Sequence, residues 1–271
     1  GGVWMAEQAW RQWVLLVLLL VLLPLAGLSG ALWAVLLMEV VFCLLGLWWV
    51  RDHWQISNLR VNWPDLAPYL RFGLGFFLAN LATVVFYRSG PLLVELLTHD
   101  SRQTGYFNLA LGLFLTGYST ISQFAQSMIP ALSSFRAQGQ TDQMRRWLGN
   151  FIGYSWWLNC LGVLAVWLLA DWAIPLVFGS EFGPAAASLK WISLAMPLAA
   201  LLWAGNIWAT VIGLGRVKFG ASLIALLVFA ATAVWLTPLY AAAGAAVALS
   251  LAVAANVAVL AVYLRPYFRF S

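Results

Sequence analysis

The sequence predicts an all-α integral membrane protein with eight transmembrane helices. Of its 271 residues, 63% are apolar or aromatic and only 8% are charged, whereas about 25% of an average soluble domain is charged. Such a chain cannot cover a water-facing surface with charge, but lipid can solvate it. A helix needs about 20 mostly apolar residues to cross the hydrocarbon core. The near-continuous apolar runs of this chain favour helices, since spanning strands would alternate in segments of about ten residues.

Eight apolar segments have the length of a membrane crossing. The first two flank a turn at Gly27–Gly30 and predict a helical hairpin. The segments are Trp13–Ser29, Ala31–Val50, Tyr69–Leu97, Tyr106–Phe135, Trp147–Ala170, Ala185–Gly213, Phe219–Leu236 and Ala242–Leu264.

The longest inward link between these segments divides the chain. It covers residues 51–68 and contains Pro64 and Pro68, which we expect to break helices. We therefore predict a first helical pair at 1–50 and a six-helix unit at 69–271, joined by a linker at the membrane surface.

The basic residues indicate the topology. When the loops are assigned to alternating sides, eleven of the 14 Lys and Arg residues fall on one side and two on the other, while Arg88 lies inside a span. Cytoplasmic loops carry the excess of positive charge in membrane proteins. Both ends of the chain are therefore predicted to be cytoplasmic. The net charge of +5 reflects this asymmetry, so a nucleic-acid partner is not expected.

The motifs of common enzymes are missing from the sequence. Cys43 and Cys160 both fall inside predicted spans, and no CxxC or His-rich spacing could supply a metal or redox site. The sequence also lacks a P-loop, a GxGxxG motif and a Ser-His-Asp set. We expect neither an enzyme nor a bound cofactor or metal.

Three ionisable residues lie inside predicted spans, where an uncompensated charge costs at least about 2.5–3.5 kcal/mol. Arg88 is predicted to face a central cavity and to pair with an anionic group of a cargo. The alternatives are a structural pair with Glu95 or Glu39, or snorkelling to the interface. Glu39 and Glu95 are candidates for ion coupling, although Glu39 could simply be protonated. The Ser89-Gly90-Pro91 sequence after Arg88 is expected to break or kink its helix.

The fourth segment carries a polar stripe. Small and polar residues recur there at spacings of three or four, which places them on one helical face. They are Asn108, Gly112, Thr116, Ser119, Gln123, Gln126, Ser127, Pro130 and Ser133. This face either lines water or packs against another helix. We predict that Asn108, Thr116, Ser119, Gln123 and Gln126 line a cavity, together with Asn80 on the preceding segment. In the last segment, Gly244, Ala248, Ala252 and Asn256 predict tight helix packing instead.

Short motifs in the second part of the chain follow a fixed order. They are Gly105-Tyr106-Phe107-Asn108-Leu109-Ala110; Pro130-Ala131-Leu132-Ser133 with Gly139 and Arg145-Arg146; Phe178-Gly179-Ser180-Glu181-Phe182 with Ala185-Ala186 and Leu189-Lys190; Gly213-Leu214-Gly215-Arg216; and Pro238-Leu239-Tyr240 with Gly244-Ala245-Ala246. Together, over about Leu66–Leu264, they resemble the polysaccharide flippases (Wzx/RfbX type) of the multidrug/oligosaccharidyl-lipid/polysaccharide exporter superfamily.

The resemblance implies two six-helix lobes around a central cavity. The chain would supply the last two helices of the first lobe and the whole second lobe, and further N-terminal helices of the same protein would complete the first. Members move undecaprenyl-diphosphate-linked oligosaccharide across the bacterial plasma membrane by alternating access, coupled to a proton or sodium gradient. The implied partners are this lipid-linked oligosaccharide and membrane lipids, with the polysaccharide polymerase machinery as a further candidate.

The chain departs from the family pattern at two positions. Many members carry an Arg-Xaa-Asp pattern where this chain has Arg88-Ser89-Gly90, so the role of that acid cannot be carried over. A Gly that often follows the Tyr of the last motif is Ala241 here, which we treat as a minor change.

Three other functions compete with the flippase. A cation-coupled drug antiporter of the same superfamily would favour acidic cavity residues, whereas Arg88 is basic. A membrane glycosyltransferase or ligase would need a large outer domain with catalytic acids. A non-transporting scaffold would explain the spans but not the polar stripe.

Overall fold

The computed structural model describes residues 2–51 and 63–268, and these residues are helical throughout apart from short connections. The chain forms two compact units, Gly1–Leu66 and Ala67–Ser271. The boundary between them falls within the predicted linker at 51–68, of which residues 52–62 lie outside the described part.

The first unit is a helical hairpin. Helix α1 spans Gly2–Val50, but its backbone is non-helical at Gly27, where φ is 56° and ψ is −137°. Arg11 and Glu39 form an ion pair of 2.5 Å across this turn. In a straight helix their 28-residue separation would correspond to about 42 Å, so the two arms must run antiparallel. The predicted hairpin is confirmed.

The second unit is built from seven α-helices in its described part. They are α2 (Trp63–Thr98, which begins in the first unit), α3 (Ser101–Ser127), α4 (Ile129–Ala137), α5 (Thr141–Phe178), α6 (Ala185–Ser193), α7 (Ala195–Ile212) and α8 (Gly215–Phe268). A 3₁₀ turn, Ser180–Phe182, connects α5 to α6. The fourth and sixth predicted segments are each divided, by Met128 ahead of Pro130 and by Leu194 ahead of Pro197. A proline fits the first turn of a helix, because the backbone N–H that it lacks would have no partner there.

The helix breaks expected at three prolines are not formed in α2. The helix includes Pro64 and Pro68, which were predicted to be breakers, and it continues through Pro91 without interruption. Pro64 is in the first turn, where proline is tolerated. Beside Pro91, the missing side chain of Gly90 leaves room for Phe107, whose ring would lie 2.7 Å from a Cβ at that position. This close packing supports the helix past the proline.

Helix α8 also turns back on itself. Its backbone is non-helical at Ala241, where φ is 50° and ψ is −131°. Ser222 and Asn256 lie on opposite sides of this turn, yet both line one small cavity. The two arms therefore pack side by side, as the seventh and eighth predicted segments require. The substitution at Ala241 is not minor, since L-residues rarely adopt a positive φ.

The turns of α1 and α8 have nearly the same backbone geometry. In each turn a glycine three residues later approaches a carbonyl of the preceding arm: a Cβ on Gly30 would lie 1.9 Å from the Leu22 oxygen, and one on Gly244 would lie 2.2 Å from the Leu236 oxygen. The sequences agree as well, since Pro-Leu precedes and Gly-Ala follows at the same positions of both turns. This local repeat is absent from our sequence-based predictions.

On the second arm of α8, many of the residues buried in the core of the second unit are alanines. Ala248 and Ala252 are fully buried, which confirms the tight packing predicted for them. Phe107, Phe114 and Phe229 fill the space between α3 and the first arm of α8. Small side chains let the helix backbones approach closely, while the three phenylalanine rings are the largest fully buried side chains.

Polar contacts join the helices at the ends of the second unit. Lys190 of α6 pairs with Asp171 of α5 at 2.5 Å. The Arg136 guanidinium, in the last turn of α4, donates to the Val211 carbonyl near the end of α7. A cation at a helix C-terminus is favourable because the free carbonyls there carry partial negative charge.

Five helices of the described part are long and apolar enough to cross a membrane, namely α1, α2, α5, α7 and α8. Helix α3, which carries the polar stripe, is not among them. The eight crossings and the two-lobed arrangement stay predictions.

Candidate functional site

Helix α3 has one face in the core and an opposite face that no other helix of its unit covers. Phe107, Ala110 and Phe114 are buried, whereas Asn108 and Thr116 are exposed. The rest of the stripe is exposed or half-buried: Gly112, Ser119, Gln123, Gln126, Ser127, Pro130 and Ser133. A Cβ on Gly112 would meet nothing within 4 Å. The stripe is therefore not a packing seam within the second unit.

Three hydroxyl groups of this stripe, those of Thr116, Ser119 and Ser127, donate to carbonyl groups of their own helix. Thr116 donates to the Gly112 carbonyl at 2.9 Å, and Ser119 donates to the Thr116 carbonyl at 2.8 Å. The side-chain amides of Asn108, Gln123 and Gln126, in contrast, form no hydrogen bond to the described residues. Each amide has two donors and a carbonyl acceptor. The α3 face can thus offer amide groups to a polar ligand.

Arg88 lies on an exposed face of α2 beside the middle of α3. Its neighbour Tyr87 contacts α3 through the rings of Phe114 and Tyr118, with centroids 6.5 and 5.6 Å apart. Arg88 is exposed and forms no hydrogen bond or ion pair with the described residues. Within the second unit, the predicted alternative of a pair with Glu95 is not formed. A guanidinium without a partner in the described residues, beside the middle of α3, can bind a phosphate bidentately.

Asn80 has a structural partner. Its side-chain oxygen accepts a hydrogen bond of 3.3 Å from Nζ of Lys218, in the first turns of α8. The same ammonium group lies 5.8 Å from the centroid of the Phe76 ring, within the range of a cation–π contact. Asn80 is exposed but tied to α8, so the structure does not group it with the free amides of α3.

Both candidate coupling acids have polar partners. Within the first unit, Glu39 pairs with Arg11. In the second unit, the Glu95 carboxylate accepts hydrogen bonds from Thr104 at 2.6 Å and Ser101 at 3.1 Å. Glu95 therefore holds the first turn of α3 against the end of α2.

A groove lies between α3 and α5, and the sequence analysis did not predict it. Its volume is about 720 Å³, and its lining is mostly aromatic and aliphatic, with Phe124, Trp147, Phe151 and Tyr154 among the residues. On α5 the lining positions follow helical spacing, which could have revealed a second amphipathic face next to the α3 stripe. Asn159 of α5 also lines this groove.

A second, much smaller cavity lies inside the second unit. Its volume of about 20 Å³ suits a single water molecule. Thr83 and Ser222 line it, and their hydroxyl oxygens are 3.3 Å apart. Asn206 of α7 and Asn256 of α8 also line it. The polar groups in the middle of the bundle thus face one another.

Comparison with known families identifies the chain. A family model described as polysaccharide biosynthesis protein matches residues 9–187, about two thirds of the sequence. The chain belongs to the polysaccharide biosynthesis protein family. The match covers the first unit from residue 9 and α2 to α5, and it ends in α6. It therefore includes the Arg88 position, the α3 stripe and the α3–α5 groove of this family member.

The family match and the helices together describe a membrane protein of polysaccharide biosynthesis. No curated protein and no solved structure matches the chain. Within the described residues, no group of three or more His, Cys, Asp or Glu side chains could hold a metal ion.

Proposed function

We propose that the chain is part of a transporter that flips undecaprenyl-diphosphate-linked oligosaccharide across the bacterial plasma membrane by alternating access. The observation that carries this proposal is the exposed polar face of α3, whose amides have no partner in the described residues. Hydrocarbon cannot hydrogen-bond with amides. This face therefore needs water or a polar ligand, and a water-filled passage would provide both.

The residues suit the chemistry of such a cargo. A diphosphate is anionic and would pair with the Arg88 guanidinium. Sugar hydroxyls both donate and accept hydrogen bonds, as do the amides of Asn108, Gln123 and Gln126. These contacts would replace water as the head group crosses, while the isoprenoid tail stays in lipid. Each polar group that crossed unpaired would cost a few kcal/mol.

The proposed architecture has two lobes around the passage. The repeated turn at Gly27 and Ala241 supports it, because the first unit then corresponds to the last hairpin of the second unit. Further N-terminal helices of the same protein would complete the first lobe, and both ends of the chain would be cytoplasmic. Polysaccharide polymerase machinery is a further candidate partner. The proposed activity moves a lipid without covalent chemistry and uses no cofactor.

Coupling to a proton or sodium gradient, with Glu39 and Glu95 as the acids, is part of the proposal. The drug antiporter receives less support, because both acids have polar partners while Arg88 is free among the described residues. A cationic drug would meet an unpaired cation rather than an acid.

The experiment measures transport of a fluorescent undecaprenyl-diphosphate-linked disaccharide in vesicles that contain the purified protein together with its further N-terminal helices. Arg88→Ala should lower the rate about tenfold or more, since a charge-assisted hydrogen bond contributes about 1.5–3 kcal/mol. Arg88→Lys should keep part of the rate. Arg71→Ala, which removes another exposed arginine of α2, is the matched control and should transport normally.

A second variant tests the amides. Gln123→Leu/Gln126→Leu should fold normally and lose most transport, because leucine fills similar space without hydrogen bonds. Normal transport by both this variant and Arg88→Ala would remove the proposed cargo site. Absence of transport by the correctly folded unmutated protein, together with ion-coupled drug efflux, would establish the antiporter instead.

A further inference from the structure

The groove between α3 and α5 has the depth of one membrane leaflet. Its lining on α5 runs from Trp147 to Asn159. Because a helix rises about 1.5 Å per residue, these twelve steps span about 18 Å, roughly half of the hydrocarbon core. A chain that enters from one interface would therefore end near the middle of the bilayer.

Three polar side chains of the groove are bonded to the backbone of their own helices. Thr120 donates to the Thr116 carbonyl at 3.2 Å, Ser127 to the Phe124 carbonyl at 2.7 Å, and Asn159 to the Ser155 carbonyl at 2.6 Å. These side chains are turned back onto their own helices. Away from Asn150 and Ser155, an aliphatic chain in the groove would meet mainly rings and methyl groups.

One end of the groove is basic. Arg146 is exposed on α5, one helical turn before the groove residue Asn150, so the two side chains are neighbours on one face. Neither forms a hydrogen bond or ion pair with the described residues. The topology predicted from the loops puts this end on the cytoplasmic side, where an anionic head group would lie.

We propose that this groove binds the isoprenoid tail of the lipid-linked cargo, with its diphosphate at Arg146 and Asn150. The inference rests on the proposed function and adds a tail site to it. Ser127 belongs both to the groove and to the α3 stripe. The tail site would therefore adjoin the face that is proposed to receive the sugars.

The experiment photo-crosslinks radiolabelled undecaprenyl diphosphate to the protein in phosphatidylethanolamine vesicles. A benzoylphenylalanine replaces Tyr154, which lines the groove, or Trp157, which is exposed on the same helix but does not line it. Crosslinking is expected at 154 and at least fivefold less at 157, with about 1.0 kcal/mol corresponding to that ratio. Unlabelled undecaprenyl diphosphate should compete, whereas phosphatidylglycerol should not.

Arg146→Ala should lower crosslinking at 154 about tenfold, and Arg146→Lys should restore most of it. Equal crosslinking at both positions, or competition by phosphatidylglycerol, would mean that the groove is an ordinary lipid-facing surface and would overturn the proposal. The transport assay separates the two proposals. Transport without crosslinking refutes the tail site alone, whereas specific crosslinking without transport refutes the flippase alone.

Discussion

The two hairpin turns, one in each unit, reverse the chain direction with nearly the same backbone geometry but with different residues. At the reversal itself, Gly27 and Ala241 have φ of 56° and 50°. Three residues later, both chains have a glycine in contact with the preceding arm, Gly30 and Gly244. The comparison separates two requirements. The turn requires a glycine where the arms touch, but it tolerates alanine where only the backbone dihedral angles are unusual.

The largest effects are expected where the arms touch. Gly30→Ala and Gly244→Ala would each put a Cβ about 2 Å from a backbone oxygen of the other arm. The backbone must then move, and we expect a loss of about 3 kcal/mol of stability, at the upper end of overpacking. Thermal unfolding in detergent would measure it. Gly46→Ala and Gly112→Ala are controls, because a Cβ there meets nothing within 4 Å. If all four variants were equally stable, the close approach would be wrong.

Intermediate effects of opposite sign are expected at the reversal. Gly27→Ala should destabilise the first turn, because an L-residue at this positive φ is strained by about 1–2 kcal/mol. Ala241→Gly should relieve the same strain in the second turn and raise the unfolding temperature. The same unfolding assay measures both changes. A loss of stability in Ala241→Gly would show that the α8 turn depends on contacts of the Ala241 methyl group.

The smallest effect concerns a single hydroxyl. Ser29 donates to the Ala26 carbonyl at 2.8 Å in the first turn, and the corresponding residue of the second turn is Ala243. Ser29→Ala should cost about 0.5 kcal/mol and Ala243→Ser should gain as much, at the low end for a hydrogen bond. Measured changes of the same sign in both variants would show that the two turns are not equivalent.

The apolar segments could be predicted from the sequence because length and hydropathy decide them almost alone. The hairpin at Gly27 was visible for the same reason, since Gly and Ser interrupt the apolar run there. The importance of Ala241 in the second turn was not predicted, because alanine is usually the best helix former. Only tertiary packing holds this residue at a positive φ. The opposite error concerns Pro64, Pro68 and Pro91. Helix breaks were expected there, but α2 continues through these residues because packing and helix position can outweigh the effect of a proline.

The candidate site was partly predictable. The three-to-four spacing along α3 identified its polar face, but it could not say whether that face was covered. The structure decides this for the second unit, where Gly112 is open and Phe107, one residue before Asn108, is buried. The partners of Asn80, Glu39 and Glu95 come from other helices or a following turn, and the α3–α5 groove depends on two helices that are not adjacent in sequence. Such contacts leave no signal in a single sequence.

The polar face of α3 also has a consequence for biogenesis. A helix that displays amides and hydroxyls along one side partitions into hydrocarbon less readily than its apolar neighbours, in agreement with its absence from the five most apolar helices. Only Asp100 and His99 separate it from α2, and Glu95 is bonded to its first turn. We expect α2 and α3 to leave the translocon as one unit, with the more apolar helix carrying the other into the bilayer.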